Sequence, residues 1–286
     1  MTPSRAFLPS TPEVLARYPA VAAAARRHQT WGVVWLTAAL AFTAFSLWWL
    51  DIAFGEIGIG LVQLGKLVAL MFPPTPGAHL ALLLHAMGET LAIAFVGTLA
   101  AAVLAFPVGF IAASNTTPGA LVRFVTRRGL DTIRGVDVLI WALVFVGVVG
   151  LGPFAGILAI AVSDAGAFGK LFSETLETAD RKPVEGVVSA GGTKLQAIRF
   201  ALVPQVLPVI ISQVLYYFES NVRSATIIGI VGAGGIGLQL SEQIRTYDFD
   251  QVAFVIIMIL VTVAAIDWVC GRLRFYVIGR STAPTA

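Results

Sequence analysis

Glu219, Asn221, Arg223 and Ser224 crowd four polar side chains into the end of a long apolar stretch that begins near Pro204. A guanidinium beside an amide and a hydroxyl suits a small anion, because the N–H fork of arginine matches the oxygens of carboxylate or phosphoryl groups. The plainer reading is a Glu219–Arg223 ion pair at i, i+4 on one helix. Asp164 stands alone in another apolar stretch, where it either lines water or satisfies backbone near a bend. Catalysis finds no comparable support. The single cysteine, Cys270, excludes an internal disulfide framework and any multi-cysteine metal site. His28, His79 and His85 lack metal-ligand spacing, and no nucleophile–base constellation is evident. The chain is not expected to be an enzyme, and no cofactor is expected.

Gly232-Ala233-Gly234-Gly235-Ile236-Gly237 satisfies GxGxxG, with Ile227–Val231 standing where a strand would precede it. The dinucleotide fingerprint also needs a βαβ unit and an acid ending a second strand. Asp250 has about the right distance, but Ser241–Phe249 is no buried strand and another apolar stretch follows. These glycines are therefore expected to bring backbone against backbone in an irregular segment. The Walker A pattern GxxxxGK[ST] is absent from the sequence, so ATP is not expected to bind in that way.

The elements that position these residues belong in a bilayer. Hydrophobic residues make up 57% of the chain and charged residues 12%, with a mean hydropathy of +0.86, against about a quarter charged in ordinary globular domains. Residues 30–50 form a first apolar span, too long for a signal-peptide core of roughly 7–15 residues. Further spans are expected at about 90–113, 136–151, 154–172, 204–226 and 251–270, giving an all-α polytopic membrane protein of about six transmembrane helices. Residues 55–78 fit an amphipathic helix at the membrane interface. The first 30 residues read as a loosely ordered tail. With both termini cytoplasmic, every basic residue except Lys66, Arg223 and Arg245 falls inside, as the positive-inside rule expects. The net charge of +3 gathers on no single motif, so no nucleic acid partner is expected; membrane lipid is.

The loop over 173–203 is too charged for hydrocarbon, yet it carries helix signals. Pro183 suits a first helical position and Glu185 the first turn. Val184, Val187 and Val188 share a face at i, i+3, i+4. Gly191-Gly192 ends the helix, and Thr193 with Gln196 forms a capping-box pattern opening a second one, which Pro204 terminates or kinks. Such a helix either packs on its own bundle or docks a soluble partner, with valines as anchors and charges at the rim.

Glu185-Gly186-Val187, then Gly191, then Pro204 resembles the EAA loop of ABC importer permeases, with an acid, a glycine six positions on and a proline nineteen positions on. Gly186 and Val187 replace the two alanines of that pattern, and Ala201 and Val203 its usual isoleucine and leucine. Glu89-Thr90-Leu91 through Gly97-Thr98, Pro107 and Gly109 looks like the start of the permease core. Trp141-Ala142-Leu143, Gly150 to Phe154, Phe218 to Ser224 and Gly232 to Gly237 are similar to phosphonate importer permeases.

The resemblance implies a type I importer permease in the cell inner (plasma) membrane. Its parts would be an N-terminal tail, first span and outside segment over 1–84, a permease core over 85–275 and a C-terminal tail over 276–286. It implies cytoplasmic ATPase subunits, a second permease copy or paralogue, and a periplasmic solute-binding protein. Glu185, Gly186, Val187, Val188, Gly191 and Pro204 would set the coupling loop. Asp164, Glu219, Asn221, Arg223 and Ser224 are the candidates for the translocation path. Phosphonates are the expected cargo, with phosphate, phosphite or another small oxyanion as the alternative. A self-sufficient secondary transporter would need a coupling-ion site, for which Asp164 alone is thin support.

Overall fold

The computed structural model describes residues 19–50, 54–117 and 119–279, which among themselves contain helices and no strand. They fall into two compact units divided between Lys66 and Leu67. In the first, α1 (Pro19–Trp49) carries the apolar stretch Trp31–Trp49, none of it buried. Leu36, Leu40, Phe42 and Trp48 are exposed around its whole circumference, the pattern of a helix whose solvent is lipid. The helix begins at Pro19, so the loose tail expected up to residue 30 is helical in its last third; residues 1–18 lie outside the described ones. The segment expected at the interface over 55–78 is helical as far as Leu70 (α2, Phe54–Leu70). Its 17 residues fall short of the roughly 20 that a span needs.

The second unit is built on α3 (Leu80–Ala112) and α6 (Pro153–Thr178). Gly97 lies against Ile160 and Gly109 against Phe172, and a Cβ on either glycine would stand 2.8 or 2.9 Å from its neighbour's. The shared sequence offset means that the two helices run parallel, as close as glycine permits. Helix α3 starts at Leu80 rather than about 90. His85 and Glu89 interrupt the apolar pattern there, but Leu83, Ala86 and Met87 pack on Ile236 and Val255 and carry the helix through.

Between these two helices the chain returns through α4 (Ala120–Arg134) and α5 (Val138–Val149), bent by 84° to one another. Asp137 caps α5, its carboxylate accepting the Leu139 N–H at 2.8 Å. The separate span expected over 136–151 is thereby revised. Twelve residues of helix reach only about 18 Å, short of a hydrocarbon core of about 30 Å. The crossing is made by the bent pair. Counting it as one, six segments among the described residues are apolar and long enough to span, in agreement with the number read from the sequence.

After α6 come α7 (Arg181–Ser189) and α8 (Lys194–Ala197), then a widened π turn over Ile198–Leu202 that leads into α9 (Val203–Ile228). The helix is continuous from Lys194 to the break at Gly232, whose φ of 99 is not helical. Pro204 does not terminate it. Proline offers no N–H to the ladder, and the turn widens so that the Val203 N–H reaches back five residues to the Ile198 carbonyl. A second π turn, Gly229–Ala233, precedes α10 (Ile236–Thr246) and α11 (Phe249–Gly279). Helix α11 continues into the stretch expected as a tail from 276; residues 280–286 lie outside the described ones.

Candidate functional site

At one end of the second unit, α7 lies against the bundle along one edge only, with no residue fully buried. Its N-cap is Asp180, whose carboxylate accepts the Lys182 N–H at 3.0 Å; Pro183 therefore sits third in the helix and not first. The helix closes through Gly191 at φ +83, with the Gly192 N–H on the Val187 carbonyl at 3.0 Å. A Cβ on Gly192 would come within 2.7 Å of Val187, so the turn requires glycine. The Thr193–Gln196 capping box is formed in both directions, and it fixes where the long helix starts.

The three valines do not act together. Val184 packs on a buried cluster that includes Phe172, Leu176 and Leu202, while Val188 is 52% exposed. Val187 is half-buried against its own turn. One edge of α7 thus grips its own chain, and the edge with Glu185, Gly186 and Val188 remains open. Beneath it lies a groove of about 580 Å³ lined by Asn115, Thr117, Val184, Glu185, Val188 and Lys194. Its floor is braced by Glu177, which accepts from the Ser114 N–H and the Arg127 guanidinium, each at 2.6 Å. The Asn115 side-chain amide donates a hydrogen bond to the Leu176 carbonyl at 2.6 Å. Pro204 lies just past the π turn, in the first turn of α9, where the preceding widened turn accommodates its missing N–H.

Halfway along the bundle, Asn221 on α9 donates to Thr98 of α3 at 2.8 Å and to Asp164 of α6 at 2.5 Å. All three are buried, at 5%, 1% and 8% exposure. Asp164 and Asn221, both expected on a path, are brought together, but they face each other inside the packed helices of this chain. Thr98 closes the set; the sequence marked it only within the stretch that resembles the start of the permease core, not as a partner of Asn221.

Glu219 and Arg223 are not paired with one another. Each reaches across to α11: Glu219 meets Arg274 at 2.5 Å, and Arg223 meets Asp267 at 3.4 Å. The i, i+4 reading fails because α11 packs along this face of α9 and offers a nearer partner of opposite charge at each place. Arg223 also lies within α9, two residues from Asn221 and the centre of the bundle, and not in a segment outside the spans. Its side chain remains 46% exposed and that of Asp267 41%. Ser224 is half-buried. Asp267 and Arg274 were legible as isolated charges near the end of an apolar run, seven residues apart, but nothing in that spacing names their partners.

The opposite end of the unit is closed by the glycine segment. Gly232, Gly234 and Gly235 all have positive φ, and the Gly232 carbonyl accepts the Gly152 N–H at 2.9 Å. The residues before them are helical, so no strand–turn–helix nucleotide site forms. The first N–H groups of α10 are taken by α3: Gly235 donates to Glu89 at 3.1 Å and Ile236 to Thr90 at 2.8 Å. Backbone meets side chain here so closely that a Cβ on Gly235 would lie 2.4 Å from the Thr90 hydroxyl.

Residues 105–275 match the family described as binding-protein-dependent transport system inner membrane component. The chain is 39% identical over 253 residues to HtxC of Stutzerimonas stutzeri, which carries the name of a phosphite transport system permease protein; the match covers 88% of each. It is 40% identical over 204 residues to the phosphate-import permease protein PhnE of Mycolicibacterium smegmatis, covering 71% of this chain and 38% of that protein. In fold it is similar to a chain of the MetNI methionine ABC transporter in an inward-facing conformation. That likeness has a TM-score of 0.62 at 22% identity and covers 71% of this chain and 99% of that one.

Proposed function

The chain belongs to the family of binding-protein-dependent transport system inner membrane components, and on that premise we propose that it is the permease of an ABC importer whose cargo is phosphonates. The protein sits in the inner membrane with both termini cytoplasmic, so that α7 faces the cytosol. ATP is hydrolysed in a separate pair of ATPase subunits, and the path forms between this chain and a second permease, either an identical copy or a paralogue. A periplasmic solute-binding protein delivers the cargo. Glu185, Gly186, Val187, Val188, Gly191 and Pro204 fix the geometry of the loop that an ATPase grips. ATP binding closes the ATPase pair and draws the two gripped loops together, which turns an inward-facing path outward.

One observation carries this reading most directly: α7 is capped at both ends and anchored to the bundle through Val184, with its Glu185–Val188 edge open. A helix kept rigid and uncovered at the membrane surface is suited to receive a partner. For cargo, the support is Arg223. A half-exposed guanidinium halfway along the bundle is costly against hydrocarbon and favourable beside water and an anion. Phosphite is the second reading, favoured by the name of the 39% identical relative.

Uptake by the reconstituted complex, with methylphosphonate, phosphite and phosphate in competition, tests the proposal. Methylphosphonate should compete at the lowest concentration. Phosphite competing at a lower one would transfer the assignment to phosphite, and uptake that persists without the ATPase would overturn the importer reading.

A further inference from the structure

We propose that Asp267 is a positioning residue for the cargo: it holds Arg223 in the path when no anion is present and drives a bound anion off again. This rests on the reading of Arg223 as the anion contact. Glu219 and Arg223 lie one turn apart on α9, and Asp267 and Arg274 lie two turns apart on α11, so the helices face each other with charges of alternating sign. The two rungs differ. Glu219–Arg274 is short, with side chains 13% and 28% exposed, and Arg274 also lies over the Tyr216 ring at 5.9 Å. It is a closed structural pair. Arg223–Asp267 spans 3.4 Å with both side chains near half exposed, in the range where an ion pair contributes little and exchanges readily.

Among the described residues, Arg223 uses only Nη1, and only toward Asp267. Its remaining N–H donors are open to a phosphoryl group, whose oxygens accept two parallel bonds where Asp267 now accepts one. An oxyanion therefore has the means to displace Asp267. Once it has, the freed carboxylate stands beside the anion with like charge, and the bond to Arg223 re-forms as the anion leaves. Conduction needs such weak, reversible binding. An arginine without its acid would hold the cargo.

The test uses the complete complex in lipid nanodiscs without binding protein, with labelled inorganic phosphate and labelled phosphite as probes. In Asp267→Asn, equilibrium retention of the probe should rise at least tenfold over the parent complex, and the maximal uptake rate after reconstitution should fall at least threefold with ATPase activity retained. Asp267→Glu should return both values to within threefold of the parent. Asp267→Ser serves the same measurement if the asparagine variant does not assemble. Retention unchanged or reduced on loss of the carboxylate overturns the proposal, as does a glutamate variant that behaves like the asparagine one. Arg223→Gln separates the two levels. Normal uptake in that variant removes Arg223 as the anion contact, whereas lost uptake there with parent-like Asp267 variants removes the role of Asp267 alone.

Discussion

Glu89 and Gly235 meet across 146 residues of sequence, the carboxylate of one accepting the backbone N–H of the other at 3.1 Å. With the neighbouring Thr90–Ile236 bond, this contact fastens the first turn of α10 to the side of α3. Both N–H groups are among those a helix start leaves without partners of its own.

Thr90→Val removes the hydroxyl that serves the buried Ile236 N–H. An orphaned buried donor costs about 1–3 kcal/mol, so the purified variant should unfold several degrees below the parent in a thermal scan. An unchanged Tm would mean that the contact contributes nothing.

In Glu185→Ala the open edge of α7 loses its acid. The protein should insert and accumulate normally, while ATP-driven uptake falls at least tenfold and ATP hydrolysis proceeds without transport. Uptake at the parent rate would count against the coupling role.

Asn221→Leu leaves the Asp164 carboxylate buried without the amide that now donates to it. Loss of a buried hydrogen bond to a charged group costs about 1.5–3 kcal/mol, so folded yield after detergent extraction should drop. Asp164→Asn removes the charge with little change of shape and should be tolerated better. The reverse order of yields would show that the charge itself is stabilised by something else.

Gly97→Val places branches where the Ile160 side chain already stands, 2.8 Å from the Cβ position. Overpacking of this kind costs about 1–3 kcal/mol, and α3 and α6 must separate. The variant should elute as a broadened, partly aggregated species in size-exclusion chromatography, and a sharp parent-like peak would contradict the packing.

Orientation is open to a direct measurement. In a Cys270→Ser background, a cysteine at Ser189 should react with an impermeant maleimide only from the cytosolic side, and one at Thr246 only from the outside. Labelling of the Ser189 site in intact spheroplasts would invert the topology.

Much of this architecture was readable from local patterns. Long apolar runs give spans because a bilayer demands about 20 apolar residues whatever they pack against, and Thr193–Gln196 forms a cap because its bonds are local. What the sequence hid depends on neighbours distant in the chain. The i, i+4 spacing of Glu219 and Arg223 gave no hint that α11 would supply each with another partner. The polar residues His85 and Glu89 shortened the expected α3 because the glycine turn that receives Glu89 lies far downstream. Pro204 looked like a helix end or a kink, since nothing local foretells that five residues will open into a wider turn and let the ladder pass.

That widened turn has a mechanical consequence. From Lys194 up to the break at Gly232 the chain is one long helix, more than about 50 Å in length, with a widened turn near each tip and Arg223 along its shaft. On the proposed docking role of α7, a thrust on it would enter this helix across the short Ala190–Thr193 turn and reach the glycine segment through both widened turns. The proposed docking helix and the glycine segment at the opposite end of the unit are thereby joined through a single helix.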